Sequence, residues 1–263
     1  LSLSVLKNLG IHTNDIEMAL RTTKDFYKNN KDFMIALVRK LGKPVLLEMW
    51  DERIFYFILK YEFNFVDTSE KASALSTDQI DIENGERYGI TFTDKDGKAK
   101  HPLILHCSPS GAIERVIYAL LEKEAMKMKE GQKPMFPLWL SPTQIRLIPV
   151  GDEFIPICEK IVDDLNKMSR FQQIRTDIDD REESVSRKIR DAEKEWTPII
   201  IVIGEKEKVS KKFTPRFRSK DIGDSNKKYS LPEIHKLITS KTQDFPQKPI
   251  PLSIYLSKRP KFK

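Results

Sequence analysis

Two short stretches hold residue types at spacings that could do chemistry. In Ser108-Pro109-Ser110-Gly111-Ala112-Ile113-Glu114-Arg115 a strand ends, a glycine-containing turn follows, and a helix starts with Glu114 and Arg115 in its first turns. An arginine at such a place projects over the end of a sheet with the positive helix end beside it, which suits phosphate oxygens. In Thr77-Asp78-Gln79-Ile80-Asp81 the residues Thr77, Gln79 and Asp81 alternate with Asp78 and Ile80. On a strand their side chains share one face, and polar groups set between apolar neighbours need partners. Each stretch also has a bland reading, a surface Glu-Arg pair for one and a solvent-facing edge strand for the other.

Both stretches need a sheet and a helix to hold them. Val45 to Met49, Phe55 to Phe65 and Tyr88 to Phe92 are short β-branched or aromatic runs that read as strands. Asp94-Lys95-Asp96-Gly97-Lys98 is a hairpin signal leading into Leu103-Ile104-Leu105, so successive strands here imply an antiparallel sheet. Ile113, Val116, Ile117, Leu120 and Leu121 then recur at helical spacing. Upstream, Asp15 to Lys40 shows a loose helical period, opened by Asn14 or Asp15 and broken at Gly42-Lys43-Pro44. Glu122 to Pro137 is charged, ends in Gly131 and prolines, and reads as a linker, which places a domain boundary between residues 133 and 134.

Beyond that boundary the pattern becomes β then α then β. Ile145 to Val150, a short run near Gln173 to Asp177, and Ile199 to Ile203 read as strands; Phe154 to Met168, Ser184 to Glu195 and Leu231 to Thr239 read as helices. The expected fold is therefore α/β twice over: a partial antiparallel sheet with helices, then a unit with a mainly parallel central sheet.

Charge marks off the C-terminal quarter of the chain. Residues 204–263 hold 16 Lys and Arg against 6 Asp and Glu, while the other 203 residues hold 30 against 33. A basic surplus confined to one end is the footprint of a polyanion such as nucleic acid, or else a solvated tail. The longest apolar run, Pro198 to Ile203, is strand-sized, so no membrane partner is expected. Cys107 and Cys158 are too far apart for a zinc knuckle and too few for a disulfide scaffold, which makes a reducing, cytoplasmic setting the expectation. The sequence begins with Leu1 and not Met, as a piece of a longer protein would.

His101-Pro102-Leu103-Ile104-Leu105-His106-Cys107-Ser108 running into Gly111-Ala112-Ile113-Glu114-Arg115 resembles motif 3 of a class II aminoacyl-tRNA synthetase in its archaeal threonyl form. Phe63-Asn64-Phe65-Val66-Asp67 and Lys71 to Asp81 resemble that family's catalytic strands. Phe136 to Ile145 resembles the start of its anticodon-binding domain, and Asp179 to Ser184, Lys188 to Ala192 and Gly204 to Glu207 resemble later motifs of that domain, in order. The resemblance spans nearly the whole chain. Motifs 1 and 2 are not in it, so the chain resembles the C-terminal part of such an enzyme and on its own is expected to be inactive.

The resemblance implies a threonine–tRNA ligase: ATP-dependent activation of threonine and its transfer to tRNA(Thr), with Mg²⁺ on the phosphates and a homodimer as the complete enzyme. It implies Arg115 as the catalytic phosphate clamp and Thr77, Gln79, Asp81, Gly111 and Glu114 as the ATP and threonine pocket. His106 resembles the last of three zinc ligands, the other two lying outside this chain; alone it reads as a strand histidine without a partner. Phe57 stands near a position that is Tyr in bacterial relatives, so no hydroxyl role carries over to it. Arg181, Lys188, Arg190, Glu207, Arg216 and Arg218 are implied as anticodon-binding groups, whose edge hydrogen bonds and stacking suit single-stranded bases. Two alternatives stay open. One is a non-catalytic tRNA-binding module derived from a synthetase; the other is a prolyl-, glycyl- or histidyl-type relative, against which residues 77–81 argue.

Overall fold

A computed structural model describes residues 1–169 and 173–260; Lys261 and Lys263, counted in the basic surplus, lie outside them. The chain divides into two compact units, Leu1–Met126 and Lys127–Lys263. In the first, α1 (Ser2–Asn8) precedes β1 (Ile16–Thr23), α2 (Lys24–Asn29), α3 (Lys31–Leu41), β2 (Leu46–Trp50), β3 (Phe57–Val66) and β4 (Ala72–Asp81). There follow α4 (Asn84–Arg87), a small hairpin of β5 (Phe92–Thr93) and β6 (Ala99–Lys100), β7 (Ile104–Ser108) and α5 (Ile113–Lys129). Five strands make one sheet in the order β2-β1-β3-β4-β7. β1 and β2 run parallel; every other neighbouring pair is antiparallel.

The helix expected over Asp15 to Lys40 is a central strand followed by two helices. Ile16, Met18, Leu20 and Thr22 are buried at period two, and β1 pairs on both sides, with β2 and with β3. Two ladders and a buried face outweigh a loose helical spacing. Asp15 instead closes a 3₁₀ turn, its carboxylate accepting the His12 backbone N–H at 2.6 Å. Of the strand expected at Tyr88 to Phe92 only Phe92 is extended, because residues 84–87 form a helical turn and Gly89, at φ +64, reverses the chain after it. The segment read as a linker from Glu122 is helical to Lys129: Lys123 Nζ donates to Gly10 O at 2.6 Å, and Glu122 accepts from Thr68 Oγ1 at 2.6 Å. Those anchors use the charges that made the segment look solvated.

Gly111 fixes where α5 begins relative to the sheet. Its φ is +74, and a Cβ there would stand 1.9 Å from the carbonyl oxygen of Leu75 on β4. Both the left-handed conformation and the close approach exclude a side chain. Gly111→Ala is expected to cost at least about 1 kcal/mol from the backbone conformation alone. Thermal unfolding checks this: a clear drop in Tm is expected, and an unchanged Tm would contradict the geometry.

The second unit comprises β8 (Ile145–Pro149), α6 (Ile155–Met168), β9 (Thr176–Ile178), α7 (Val185–Lys194), β10 (Ile199–Ile203), α8 (Glu205–Ser210), β11 (Arg216–Phe217) and α9 (Leu231–Thr242). Its sheet runs β11-β10-β8-β9, with β10, β8 and β9 parallel and β11 antiparallel. Ile145, Leu147, Ile199, Ile201 and Ile203 pack with Cys158 and Ile161 of α6 and with Ile234 and Ile238 of α9. Ile148 and Ile200 pack with Ala192 of α7. The two helix layers thus enclose strands that are apolar on both faces, as a parallel sheet requires. The fold is mixed α/β throughout, an antiparallel-rich sheet followed by a mainly parallel one. No helix among the described residues is long and apolar enough to cross a membrane.

Candidate active-site face and nucleic-acid interface

Strand register alone assembles a polar row across the first sheet. Arg21 of β1 pairs with Glu48 of β2 and with Lys60 of β3; Lys60 pairs with Gln79 of β4, and Gln79 with His106 of β7. Paired residues project from the same face, so five strands each place one polar side chain abreast. Arg21 donates to Glu48 at 2.8 Å and to Glu62 at 2.8 Å, and Lys60 lies 2.9 Å from Glu62, which is buried. Glu62 in turn pairs with Thr77, and Thr77 with Ser108.

Three of the expected pocket residues meet here. The Tyr56 hydroxyl donates to Gln79 Oε1, which leaves the Gln79 amide NH₂ as a donor for a ligand. Asp81 is fully buried and its carboxylate has four donors: the Glu83 and Asn84 backbone N–H groups at 2.9 Å, the Asn84 side-chain amide at 2.7 Å, and His106 Nε2 at 2.8 Å. Burial alone would push the Asp81 carboxyl up, but the donors more than offset it and hold the group well below the usual carboxylate range. Asp81 therefore positions His106 and does not itself face a ligand. The reading of His106 as a strand histidine without a partner is corrected: Asp81 orients it.

The same contact bears on metal binding. With Nε2 held by a carboxylate, His106 can offer a metal only Nδ1, the arrangement that stands behind zinc-ligating imidazoles. A tetrahedral zinc needs three further donors. No group of three or more His, Cys, Asp or Glu that could hold a metal is assembled among the described residues. His106 fits as one ligand of such a site, and this chain's described residues do not complete it.

Asp81 also gives a pH signature. Its lowered folded-state pKa contributes stability that is fully present above the ordinary Asp value of about 3.9 and is lost as pH falls from there through the folded-state value. Asp81→Asn is expected to be less stable than the parent at pH 6, with the gap narrowing below about pH 4. Urea unfolding at both pH values checks it; a gap independent of pH would contradict the assignment.

Arg115 and Glu114, in the first turn of α5, are exposed and make no hydrogen bond or ion pair among the described residues. No such contact links them to Thr77, Gln79 or Asp81; Gly111 connects their helix to β4 through its approach to Leu75. Arg115 is thus a free guanidinium at the positive end of a 17-residue helix.

In the second unit the structure separates the six expected nucleic-acid contacts. Glu207 lies just past the carboxyl end of β10, where its Oε2 accepts the Gly204 N–H at 3.1 Å and caps α8. Arg181 lies beyond the carboxyl end of β9, its guanidinium bidentate on buried Asp179 at 2.7 Å and 3.2 Å from Asp191. Most of its donors are used inside the fold. Lys188 is buried, whereas Arg190 is exposed with no partner among the described residues. Arg216 pairs with Ile200, and the Arg218 N–H reaches Pro198 O, so both belong to the opposite end of β10. At about 3.3 Å per residue, Pro198 and Gly204 stand roughly 20 Å apart. Arg218 also donates to Glu193 O at 2.7 Å and to Pro134 O, while Arg216 is exposed.

Several groups escaped sequence reading. Arg21, Lys60 and Glu62 were hidden in runs read for their apolar members, although their period-two spacing signals one face. Arg146 is the largest fully buried side chain, bidentate on Asp177 at 2.9 Å and 2.7 Å from Glu195. It ties β8 to β9 near the amino ends of the strands.

A family model described as an anticodon binding domain matches residues 144–240. The threonine–tRNA ligase of Pyrococcus horikoshii is 54% identical over 265 aligned residues, covering 100% of this chain and 41% of that protein. That of Methanosarcina mazei is 49% identical, covering 100% and 40%. A crystal structure of the RNA binding domain of threonyl-tRNA synthetase from Cryptosporidium parvum superposes with a TM-score of 0.70 at 22% identity, covering 94% of this chain and 58% of the other, a likeness of fold. On these matches the chain is similar along its whole length to part of the threonine–tRNA ligases, and it spans about two-fifths of the length of the relatives it matches.

Proposed function

We propose that this chain is the C-terminal part of a threonine–tRNA ligase, supplying one side of the catalytic sheet and the anticodon-reading unit of an enzyme that activates threonine with ATP and transfers it to tRNA(Thr). The observation that carries the reading is the half-identity to threonine–tRNA ligases along the whole chain, which includes the strands bearing the polar row. Gln79 and Thr77 face a ligand from β4, with Tyr56 fixing Gln79. His106, oriented by Asp81, offers Nδ1 to a zinc ion completed by ligands from outside the chain; that ion, when bound, supplies a Lewis acid for an amino or hydroxyl group. Arg115 attracts phosphate oxygens at the start of α5, and Gly111 lets that helix approach the sheet. Mg²⁺ and ATP belong to the same reading, in which barrier lowering is positional and electrostatic.

Glu207 and Arg190 remain the best-placed base readers, since ligands of parallel α/β sheets sit outside the carboxyl ends of the strands. Arg181 and Lys188 support that end from within the fold. Arg216 offers a free charge at the other end, and Arg218 braces Pro134 and Glu193. The complete enzyme is read as a homodimer. Two free cysteines, Cys107 and Cys158, accord with a cytoplasmic setting.

The test is amino-acid-dependent ATP–pyrophosphate exchange by the protein that carries this chain. Exchange with threonine is expected; exchange driven only by another amino acid would overturn the assignment, and binding of tRNA with no exchange at all would favour the non-catalytic module.

A further inference from the structure

At the amino end of β10, where β11 pairs with it, the second unit closes a pocket of 110 Å³. Ile200 and Phe217 supply apolar walls. Lys133, Arg216 and Arg218 bring three cations to it against one carboxylate, that of Glu193. The volume lies well below the roughly 300 to 1,000 Å³ of pockets that take whole cofactors or substrates. A single small ion or terminal group fits it.

The polar groups divide into one that holds the wall together and three that the fold leaves open. Arg218 is the brace: its Nη1 donates to Glu193 O at 2.7 Å and its Nε to Pro134 O. Arg216 and Lys133 are exposed and make no hydrogen bond or ion pair among the described residues. Thr197 is the decisive member. It is only 3% exposed and lines the pocket, yet its hydroxyl makes no hydrogen bond among the described residues, and a buried hydroxyl without a partner costs free energy. Trp196 just before it holds a left-handed conformation, φ +58, which a bulky residue rarely adopts, and this turn carries the chain from α7 to Thr197. A strained turn thus sets an unsatisfied hydroxyl beside two free cations.

We propose that this pocket binds a terminal phosphate, as inorganic phosphate or the end of a phosphate monoester, with the Thr197 hydroxyl donating to one oxygen and the Arg216 guanidinium and Lys133 ammonium to the others. Three donor groups suit three unesterified oxygens, and a surplus of two positive charges suits a group that carries about −1.5 to −2 at pH 7. A phosphodiester has one such oxygen fewer and a single charge. The site lies at the end of β10 opposite Glu207 and does not depend on the tRNA-binding reading. Lys133 belongs to the segment that follows α5, so a bound phosphate ties that segment to β11.

The test is a calorimetric titration of the 263-residue chain, without tRNA and at constant ionic strength, with inorganic phosphate, methyl phosphate and dimethyl phosphate. Phosphate and methyl phosphate are expected to bind saturably, and dimethyl phosphate about tenfold more weakly or worse, having lost a charge and a free oxygen. Arg216→Gln and Lys133→Gln alter exposed groups and should each weaken phosphate about tenfold. Lys208→Gln, on α8 beyond the other end of β10, should leave phosphate binding as in the parent. Thr197→Val keeps the shape of the side chain and removes its hydroxyl; it should weaken phosphate while Tm without phosphate does not fall, because no internal hydrogen bond is lost. Dimethyl phosphate binding as tightly as methyl phosphate would overturn the terminal-phosphate site, as would phosphate binding that is absent in the parent or unchanged in both Arg216→Gln and Lys133→Gln. None of these results bears on the anticodon reading, which is measured with tRNA.

Discussion

Replacing Arg115 with alanine in the protein that carries this chain is expected to slow threonine-dependent ATP–pyrophosphate exchange by about one to two orders of magnitude. The guanidinium is free in the fold, so its removal breaks no internal contact, and Tm should be unchanged. What is lost is a charge-assisted contact to phosphate oxygens, typically about 1.5 to 3 kcal/mol, reinforced by the positive end of α5. Each 1.36 kcal/mol is a factor of ten in rate, which gives the expected range. Arg115→Lys should recover part of the loss, because lysine keeps the charge and loses the planar fork. Exchange at the parental rate would show Arg115 to be a surface residue and would remove the phosphate clamp from the site.

Much of this site was legible before the structure, and the reasons for success and failure differ by residue. That Thr77, Gln79 and Asp81 lie on one strand was readable because residues 77–81 alternate in type, and β4 contains all three. Gly111 and the helix after it were found because a glycine between an apolar strand and a helical period has few other uses. β1 was misread because Ile16, Leu20 and Phe26 fit a helical spacing as well as a strand, and only pairing on both sides decides between them. The role of Asp81 was unreadable in principle: a carboxylate beside a ligand and a carboxylate spent on His106 and three amide donors have the same sequence. In the second unit the motifs were found in order, but order along the chain says nothing about which end of β10 a residue occupies. The antiparallel return of β11 takes Arg216 and Arg218 away from Glu207, and no local signal in Phe213 to Arg218 announces it.

That separation sharpens what tRNA binding must look like. A basic surface alone binds any tRNA, with affinity falling steeply as salt rises. A base reader at the carboxyl end of the sheet adds discrimination. If Glu207 or Arg190 bonds a base edge, exchanging that anticodon base should cost about 1 to 3 kcal/mol at fixed salt, by analogy with a mismatched base in a specific nucleic-acid site. Glu207→Gln, which keeps the size of the side chain and removes its charge, should shrink the discrimination while leaving the salt slope in place. Arg216→Ala, at the far end, should weaken all tRNAs nearly alike and lower the slope by about one. A contact at Lys212, 3.7 Å from Glu233, would behave in the same way.

The most direct measurement is therefore a titration of this chain with tRNA(Thr), an anticodon-swapped tRNA(Thr) and an unrelated tRNA at two salt concentrations. The account predicts tightest binding to tRNA(Thr), a penalty of about 1 to 3 kcal/mol for the swapped anticodon that persists at the higher salt, and a common loss of affinity with salt for all three. Equal affinity for the three at both salts would leave only a basic surface and contradict the account.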